Sequence, residues 1–139
     1  MKMFPLLLLS SLLLLPSCIV KVKLEATAWA TQSIMMADKP EPMTSDKTYV
    51  LNFTDNGQIN LKLDINRCIS RFNSPSTNRI NIEPFACTKA CCDSKFAMQL
   101  IGLLPEMTNY HVKDNQLTLE GPMGKIVFTT TTPVVEGGD

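Results

Sequence analysis

The sequence lacks a charge surplus of either sign and has a single histidine. Its 139 residues include 13 basic and 13 acidic side chains. Nucleic-acid binders need excess Lys and Arg to contact phosphates, so we expect no nucleic-acid partner. The histidine, His111, lies in a predicted strand, where the alternation directs it to solvent rather than toward a nucleophile. We therefore predict that the protein is not an enzyme, and no motif indicates a cofactor.

The sequence also lacks an apolar run long enough to span a bilayer. Lys2 is followed by about ten apolar residues over 6–15 and then by Leu15-Pro16-Ser17-Cys18, whereas a spanning helix needs roughly 20. This order is similar to a bacterial lipoprotein signal, in which the cysteine becomes the lipid-modified first residue of the mature chain. We predict cleavage after residue 17 and lipidation of Cys18. A plain signal peptide that is cut later is the alternative.

The residue after the lipidation site indicates which membrane holds the protein. Ile19 rather than aspartate follows Cys18, which in enterobacterial lipoproteins favours the outer membrane. The predicted organisation is a signal peptide over 1–17, a tether over 18–24, one domain over 25–132 and a polar tail over 133–139. A lipid at Cys18 would anchor this envelope protein to the membrane, which is therefore a predicted partner.

Four more cysteines lie in the mature chain: Cys68, Cys87, Cys91 and Cys92. An even set in an exported protein predicts two disulfides. A bridge between the adjacent Cys91 and Cys92 would need a strained ring. Two pairings remain: Cys68–Cys91 with Cys87–Cys92, or Cys68–Cys92 with Cys87–Cys91. The alternative is a metal site in which the four thiolates bind zinc or copper, although the paired Cys-x-x-Cys elements typical of zinc sites are absent.

Alternating apolar and polar residues predict a hairpin in the first half of the domain. Strands over 49–54 and 58–66 flank Asp55-Asn56-Gly57, which is a typical hairpin turn. Trp29 lies in an earlier predicted strand over 26–36, with its ring in the core. The polar stretch 66–78 is predicted to be a loop that contains Cys68.

In the second half, apolar residues recur every three to four positions from Phe96 to Met107. This spacing predicts an amphipathic helix over about 93–104, capped by Asp93 or Ser94. A short strand with Ile80 and Ile82 precedes it, and three strands in meander order follow over 110–128. The predicted fold class is α+β, mainly an antiparallel, curled and barrel-like sheet of six to eight strands with one helix.

This pattern resembles the META domain, the HslJ-like family of small envelope proteins, over residues 24–130. The matching features are Trp29, the strand pair with Cys68 after it, Ile80 and Ile82, Thr88 to Cys92, the helix over Phe96 to Leu104, and the finish from Tyr110 through Leu117, Leu119, Gly124, Ile126 and Phe128. The family's Gly-Cys-Asn element is Arg67-Cys68-Ile69 here, and its Gly-x-Tyr element is Arg71-Phe72-Asn73. The resemblance implies a Cys68–Cys92 bridge, which leaves Cys87 with Cys91.

The family has no agreed activity and is linked to envelope stress, drug tolerance and secretion. The resemblance and the lipobox together predict a non-enzymatic, lipid-anchored envelope protein with a binding or envelope-stress role. Its partner would be a protein or a small apolar ligand. The alternative function is a periplasmic metal-binding module that uses Cys68, Cys87, Cys91 and Cys92.

Overall fold

The computed structural model describes residues 23–132, which form nine β-strands and one α-helix. The elements are β1 (Thr27–Met36), β2 (Val50–Phe53), β3 (Gln58–Lys62), β4 (Arg67–Asn73), β5 (Asn81–Ile82), β6 (Ala86–Cys87), α1 (Lys95–Leu103), β7 (Asn109–Lys113), β8 (Gln116–Gly121) and β9 (Gly124–Thr131). A 3-10 turn, Leu104–Glu106, follows α1. The predicted signal peptide, Cys18 and the tail over 133–139 lie outside the described residues.

The strands form one curled antiparallel sheet in the order β5-β4-β3-β2-β1-β9-β8-β7, and β6 also pairs with β4. The two ends of the sheet approach each other at a bridge between Arg79 and Asn109. Two backbone hydrogen bonds support this bridge, from the Ile80 N–H to the Thr108 carbonyl and from the Tyr110 N–H to the Asn78 carbonyl, each 3.0 Å long. The predicted curled antiparallel sheet with one short helix is confirmed.

The predicted strand count of six to eight was too low because β4 and β6 were not anticipated. The prediction placed Cys68 in a loop over 66–78, whereas Cys68, Ser70 and Phe72 are buried along β4. The residues that alternate with these three along β4, among them Arg71, are exposed. Ser70 is tolerated inside because its hydroxyl donates to the Glu83 carbonyl at 2.6 Å, which satisfies a polar group that is costly to bury alone.

The core lies inside the curl and includes the buried face of α1. Trp29 is 0% exposed, as predicted, and its indole N–H donates to the Leu24 carbonyl at 3.3 Å. The other large, fully buried side chains are Ile34, Leu51, Phe53, Ile59, Ile80, Leu100, Leu104, Met107, Leu117, Leu119 and Phe128. Among the described residues, no helix is both long enough and apolar enough to cross a membrane.

The helix α1 begins next to one of the two cap residues predicted from the sequence. Ser94 accepts a hydrogen bond from the Ala97 N–H at 3.1 Å and is the N-cap, one of the two residues predicted for that role. Phe96, Ala97 and Leu100 point into the core. The Phe96 ring stacks on Tyr49 with the ring centres 5.6 Å apart, so the first turn of the helix is fixed against the segment that leads into β2.

Candidate functional site

A groove of about 710 Å³ lies on the face of β2, β3 and β4 that points away from the core. Side chains alternate along a strand, so the residues between the buried ones face outward. Asn52 on β2 lies opposite Asn60 on β3, and Asn60 lies opposite Ile69 on β4. We call this site the outer groove; its outward-facing lining residues are Val50, Asn52, Asn60, Lys62, Arg67 and Ile69.

Asn52 carries an unused acceptor in the outer groove. Its Oδ1 is buried and has no hydrogen-bond partner among the described residues. By contrast, Asn60 Oδ1 accepts from Gln58 Nε2 at 2.7 Å. Native structures rarely leave a buried acceptor unpaired, because the group loses its water without a replacement. Asn52 lines the outer groove, and its Oδ1 is an acceptor that the described residues leave without a hydrogen bond.

This orphan acceptor gives a stability prediction. Asn52→Leu is expected to leave the free energy of unfolding unchanged or to raise it by about 1 kcal/mol, because it removes an unsatisfied buried polar group. Thr31→Val is the matched control, since Thr31 Oγ1 is likewise buried without a partner but faces the core opposite Phe128. Urea denaturation of both variants tests the prediction, and a clear loss of stability in Asn52→Leu would contradict it.

The outer groove is positively charged. Lys47, Lys62 and Arg67 line it against a single carboxylate, Asp64. Lys62 and Arg67 occupy directly opposed positions on β3 and β4. Like charges in such cross-strand positions disfavour the pairing of strands. Ile69, which is 53% exposed, adds an apolar surface next to these cations.

Asp64 lies at the edge of the outer groove, and both of its carboxylate oxygens form structural contacts. It bonds to Lys47 Nζ at 2.7 Å, accepts from Tyr49 Oη at 3.0 Å, and accepts from the Ser94 N–H at 2.8 Å. Its side chain is 7% exposed. The hydrogen bond from Lys47, followed by that from the Ser94 N–H, holds the pKa of Asp64 well below its ordinary value. A carboxylate that is ionised at neutral pH and already bonded to three groups is poorly suited to proton transfer.

The lowered pKa of Asp64 predicts acid sensitivity. The folded state binds the ionised form more tightly than the unfolded state does, so the stabilisation is complete above about pH 4 and declines as the pH falls below it. Asp64→Asn is expected to cost about 2 kcal/mol at pH 6 and about 1 kcal/mol less at pH 3. Urea titrations of both proteins from pH 3 to 7 measure this difference. A cost that does not change with pH would contradict the assignment.

A second polar network fastens the segment over 88–94 to the turn between β3 and β4. Asn66, which is 7% exposed, donates from Nδ2 to the Ala90 carbonyl at 2.7 Å and to Asp93 Oδ2 at 2.5 Å. Its Oδ1 accepts from Thr88 Oγ1 and from the Ala90 N–H, each at 2.8 Å. One amide side chain thus forms four hydrogen bonds and sets the path of the chain that carries Cys91 and Cys92.

Asp93 completes this network. Its Oδ1 accepts from the Ile65 N–H at 2.8 Å and from the Asn66 N–H at 3.2 Å. Burial alone would raise its pKa, but the hydrogen bonds from the Asn66 side chain and from these two backbone groups outweigh burial and lower the pKa. Both carboxylates with lowered pKa values therefore have structural roles. Asp64 bonds to the N-cap residue of α1, and Asp93 bonds to the turn between β3 and β4.

The structure pairs the cysteines differently from the sequence prediction. Cys68 is bonded to Cys87, which lies directly opposite it where β6 pairs with β4. The adjacent Cys91 and Cys92 form the second pair. The two pairings predicted from the sequence, including the Cys68–Cys92 bridge that the resemblance implies, remain the alternatives to this arrangement. The difference arises from the unexpected strand β6, which brings Cys87 to Cys68 before the chain reaches Cys91.

The four predicted site cysteines lie in two pairs. Within residues 23–132, no three His, Cys, Asp or Glu side chains gather as metal ligands. His111 is exposed on β7, and Cys18 lies outside the described residues. Sequence reasoning missed Asn52, Asn60 and Lys62. Their outward positions could have been read from the alternation in the hairpin, but their gathering into a groove could not.

Comparison with known proteins identifies the domain. The family model of the META domain matches residues 22–133. The chain belongs to the META domain family. No curated protein sequence matches it.

Solved structures share the fold of this META domain at low sequence identity. An NMR structure of a protein from Burkholderia xenovorans is 13% identical with a TM-score of 0.64, and the match covers 79% of this chain and 85% of that one. A crystal structure of a duf4847 family protein from Bacteroides vulgatus is 14% identical with a TM-score of 0.57, covering 75% of this chain and 92% of that one. These likenesses concern the fold alone.

Proposed function

We propose that this META domain is a non-enzymatic binding module, held at the bacterial outer membrane by a lipid on Cys18, and that the outer groove is its binding site. The observation that carries the proposal is the buried, unpartnered Oδ1 of Asn52 in a groove of about 710 Å³. Ligand sites are typically concave surfaces that carry a few polar groups able to orient the ligand. The lipid anchor is supported by the sequence from Lys2 to Cys18.

Binding is favoured over catalysis by the state of the titratable groups. Asp64 and Asp93, whose pKa values are shifted, each accept hydrogen bonds that fix structure. Shifted groups at catalytic sites instead remain available to exchange a proton with a ligand. The outer groove supplies cations, amides and an aliphatic surface, which together recognise a ligand without transforming it.

Photocrosslinking in cells tests the binding role. A photoreactive phenylalanine analogue replaces Ile69 in the outer groove or Met123 in the β8–β9 turn. The two side chains are matched, being 53% and 50% exposed. The proposal predicts a discrete adduct from position 69 and none from position 123. Equal labelling from both positions, or none from position 69, would contradict it.

The anchor has its own test. Full-length protein extracted from membranes is expected to begin at Cys18 and to carry an acyl mass, whereas Cys18→Ser abolishes acylation and releases the protein from the membrane fraction. Intact mass spectrometry measures both. A mature protein that begins after residue 18 and carries no lipid would rule out the anchor while leaving the binding role open.

A further inference from the structure

We propose that Cys91 and Cys92 form a site of reversible thiol–disulfide exchange, whose reaction partner is a low-molecular-mass thiol. Neither cysteine lines the outer groove, so this site is separate from the proposed binding site and goes beyond the binding role. Three properties of the two adjacent cysteines support the exchange: the bond between them, their exposure to solvent, and the hydrogen bonds that hold the residues on either side of them.

The pairing of strands leaves Cys91 and Cys92 with each other. Cys68 on β4 and Cys87 on β6 lie directly opposite each other in the antiparallel pair and are joined by a disulfide. The remaining two cysteines are bonded to each other. A bond between neighbouring residues closes almost no loop, so it contributes little to the stability of the fold. The fold therefore does little to protect this bond from reduction, because stabilisation of the fold by a disulfide and protection of the disulfide by the fold are thermodynamically linked.

The two disulfides also differ in their exposure to solvent. Cys91 and Cys92 are both exposed residues, whereas Cys68 is 1% exposed and Cys87 is half-buried against the core. Exchange requires that a thiolate reach one sulfur of the bond, so access limits its rate. Exposed disulfides are typically the labile ones, and buried disulfides that stabilise the fold resist reduction. The exposed pair is therefore the reactive disulfide, and the bridge between β4 and β6 is the structural one.

Hydrogen bonds fix the chain on both sides of the reactive pair. Ala90 bonds to the Asn66 side chain through its N–H at 2.8 Å and through its carbonyl at 2.7 Å. On the other side, Asp93 Oδ1 accepts from the Ile65 N–H at 2.8 Å. None of these hydrogen bonds involves a sulfur atom, so opening the disulfide leaves them in place. The two thiols then stay at the same point of the surface, where the bond can form again.

The exchange consists of two displacement steps that conserve atoms and electrons. A thiolate of the small thiol attacks one sulfur of the Cys91–Cys92 bond. This S–S bond breaks, a mixed disulfide forms, and the other cysteine leaves as a thiolate that takes up a proton. A second small thiolate attacks the small-molecule sulfur of the mixed disulfide and releases the remaining cysteine, which is also protonated. The two cysteines are thereby reduced to thiols, and two small thiols are oxidised to one disulfide.

Differential reduction with glutathione tests the site. The full chain, purified from membranes in non-ionic detergent, is equilibrated at neutral pH with mixtures of reduced and oxidised glutathione and then trapped with excess N-ethylmaleimide. Tryptic cleavage after Lys89 and Lys95 isolates the reactive pair in peptide 90–95. We expect this peptide to be half alkylated at a glutathione redox ratio, the squared thiol concentration over that of its disulfide, about tenfold lower than the ratio that opens Cys68–Cys87. Returning the protein to oxidised glutathione should restore the disulfide in peptide 90–95.

Cys92→Ser tests the two-step chemistry. In this variant Cys91 has no neighbouring thiol to expel glutathione, so oxidised glutathione should convert it to a stable mixed disulfide that adds the mass of glutathione to peptide 90–95. In the wild-type chain the neighbouring thiol displaces glutathione, and the adduct should not accumulate. The Cys68–Cys87 bridge is the internal control, because its persistence in both proteins shows that the fold is retained.

Four results would overturn the proposal: opening of both disulfides at the same glutathione ratio, no reversible reduction of peptide 90–95, no glutathione adduct on Cys92→Ser, or a link between peptide 90–95 and another cysteine peptide before treatment. Each of these results leaves the binding role of the outer groove intact, because photocrosslinking from position 69 tests that role independently.

Discussion

Replacing Cys68 and Cys87 together by alanine is expected to lower the free energy of unfolding by about 3 kcal/mol. The bridge joins residues 19 positions apart, and the entropy of closing a loop of that size in the unfolded chain corresponds to about 3 kcal/mol. The bridge also holds β6, a strand of two residues, against the edge of β4. Without it, β6 is retained by its backbone pairing with β4 and by the Asn66 network that follows it.

Replacing Cys91 and Cys92 together by alanine is the control, and it should cost less than about 0.5 kcal/mol. These two residues are neighbours, so a bond between them closes almost no loop and restricts the unfolded chain little. Urea denaturation under non-reducing conditions measures both double variants. Similar losses in the two variants would contradict the pairing.

Tryptic mapping under non-reducing conditions tests the same pairing directly. Cleavage after Arg67, Arg71, Arg79, Lys89 and Lys95 separates three cysteine peptides, 68–71, 80–89 and 90–95. The structure predicts that peptide 68–71 is linked to peptide 80–89, while peptide 90–95 is free and two hydrogens lighter than its reduced form. A species that joins all three peptides would support the pairing predicted from the sequence.

Asn66→Ala is expected to cost about 3 kcal/mol. The substitution removes four hydrogen bonds and leaves the Ala90 backbone groups and Asp93 Oδ2 without their partner. An unpaired buried polar group costs about 1–3 kcal/mol, more when it is charged. We expect the segment over 88–94 to detach, which faster amide hydrogen exchange there would report.

The isosteric Asn66→Asp is a sharper version of this test. It keeps the shape and the acceptors but replaces the Nδ2 donors by a carboxylate that faces Asp93, so it should cost at least as much as the alanine variant at pH 7. Asn73→Ala, at the exposed asparagine that ends β4, should change stability by less than about 0.5 kcal/mol. A tolerated Asn66→Asp would show that the network does not hold the segment.

The parts of the fold with short-range signals were predictable. The Asn56-Gly57 turn, the alternation on both sides of it and the spacing of the helix all act within a few residues. Strand β4 was missed because Ser70 and Cys68 occupy its buried positions, so the alternation of strongly apolar residues was broken there. Ser70 is accommodated by the distant Glu83 carbonyl, which the local sequence does not reveal.

The site was less predictable because its contacts are long-range. Asn66 bonds to residues 22 to 27 positions later, and Asp64 to a backbone group 30 positions later. The pairing of β4 with β6, which places Cys87 opposite Cys68, is likewise long-range. The alternation in the hairpin predicts that Asn52 and Lys62 face outward. Their gathering into a groove depends on the curl of the whole sheet, which no local pattern indicates.

The central claim is that the outer groove is a binding site whose key polar contact is Asn52 Oδ1. Its most direct test is the yield of the photocrosslink from position 69 in cells that carry either Asn52→Leu or Thr31→Val. Both substitutions remove an unpaired buried acceptor, but only the first alters the groove. The account predicts that Asn52→Leu abolishes the adduct while Thr31→Val leaves it intact. An adduct that persists in Asn52→Leu, with the protein folded, would contradict it.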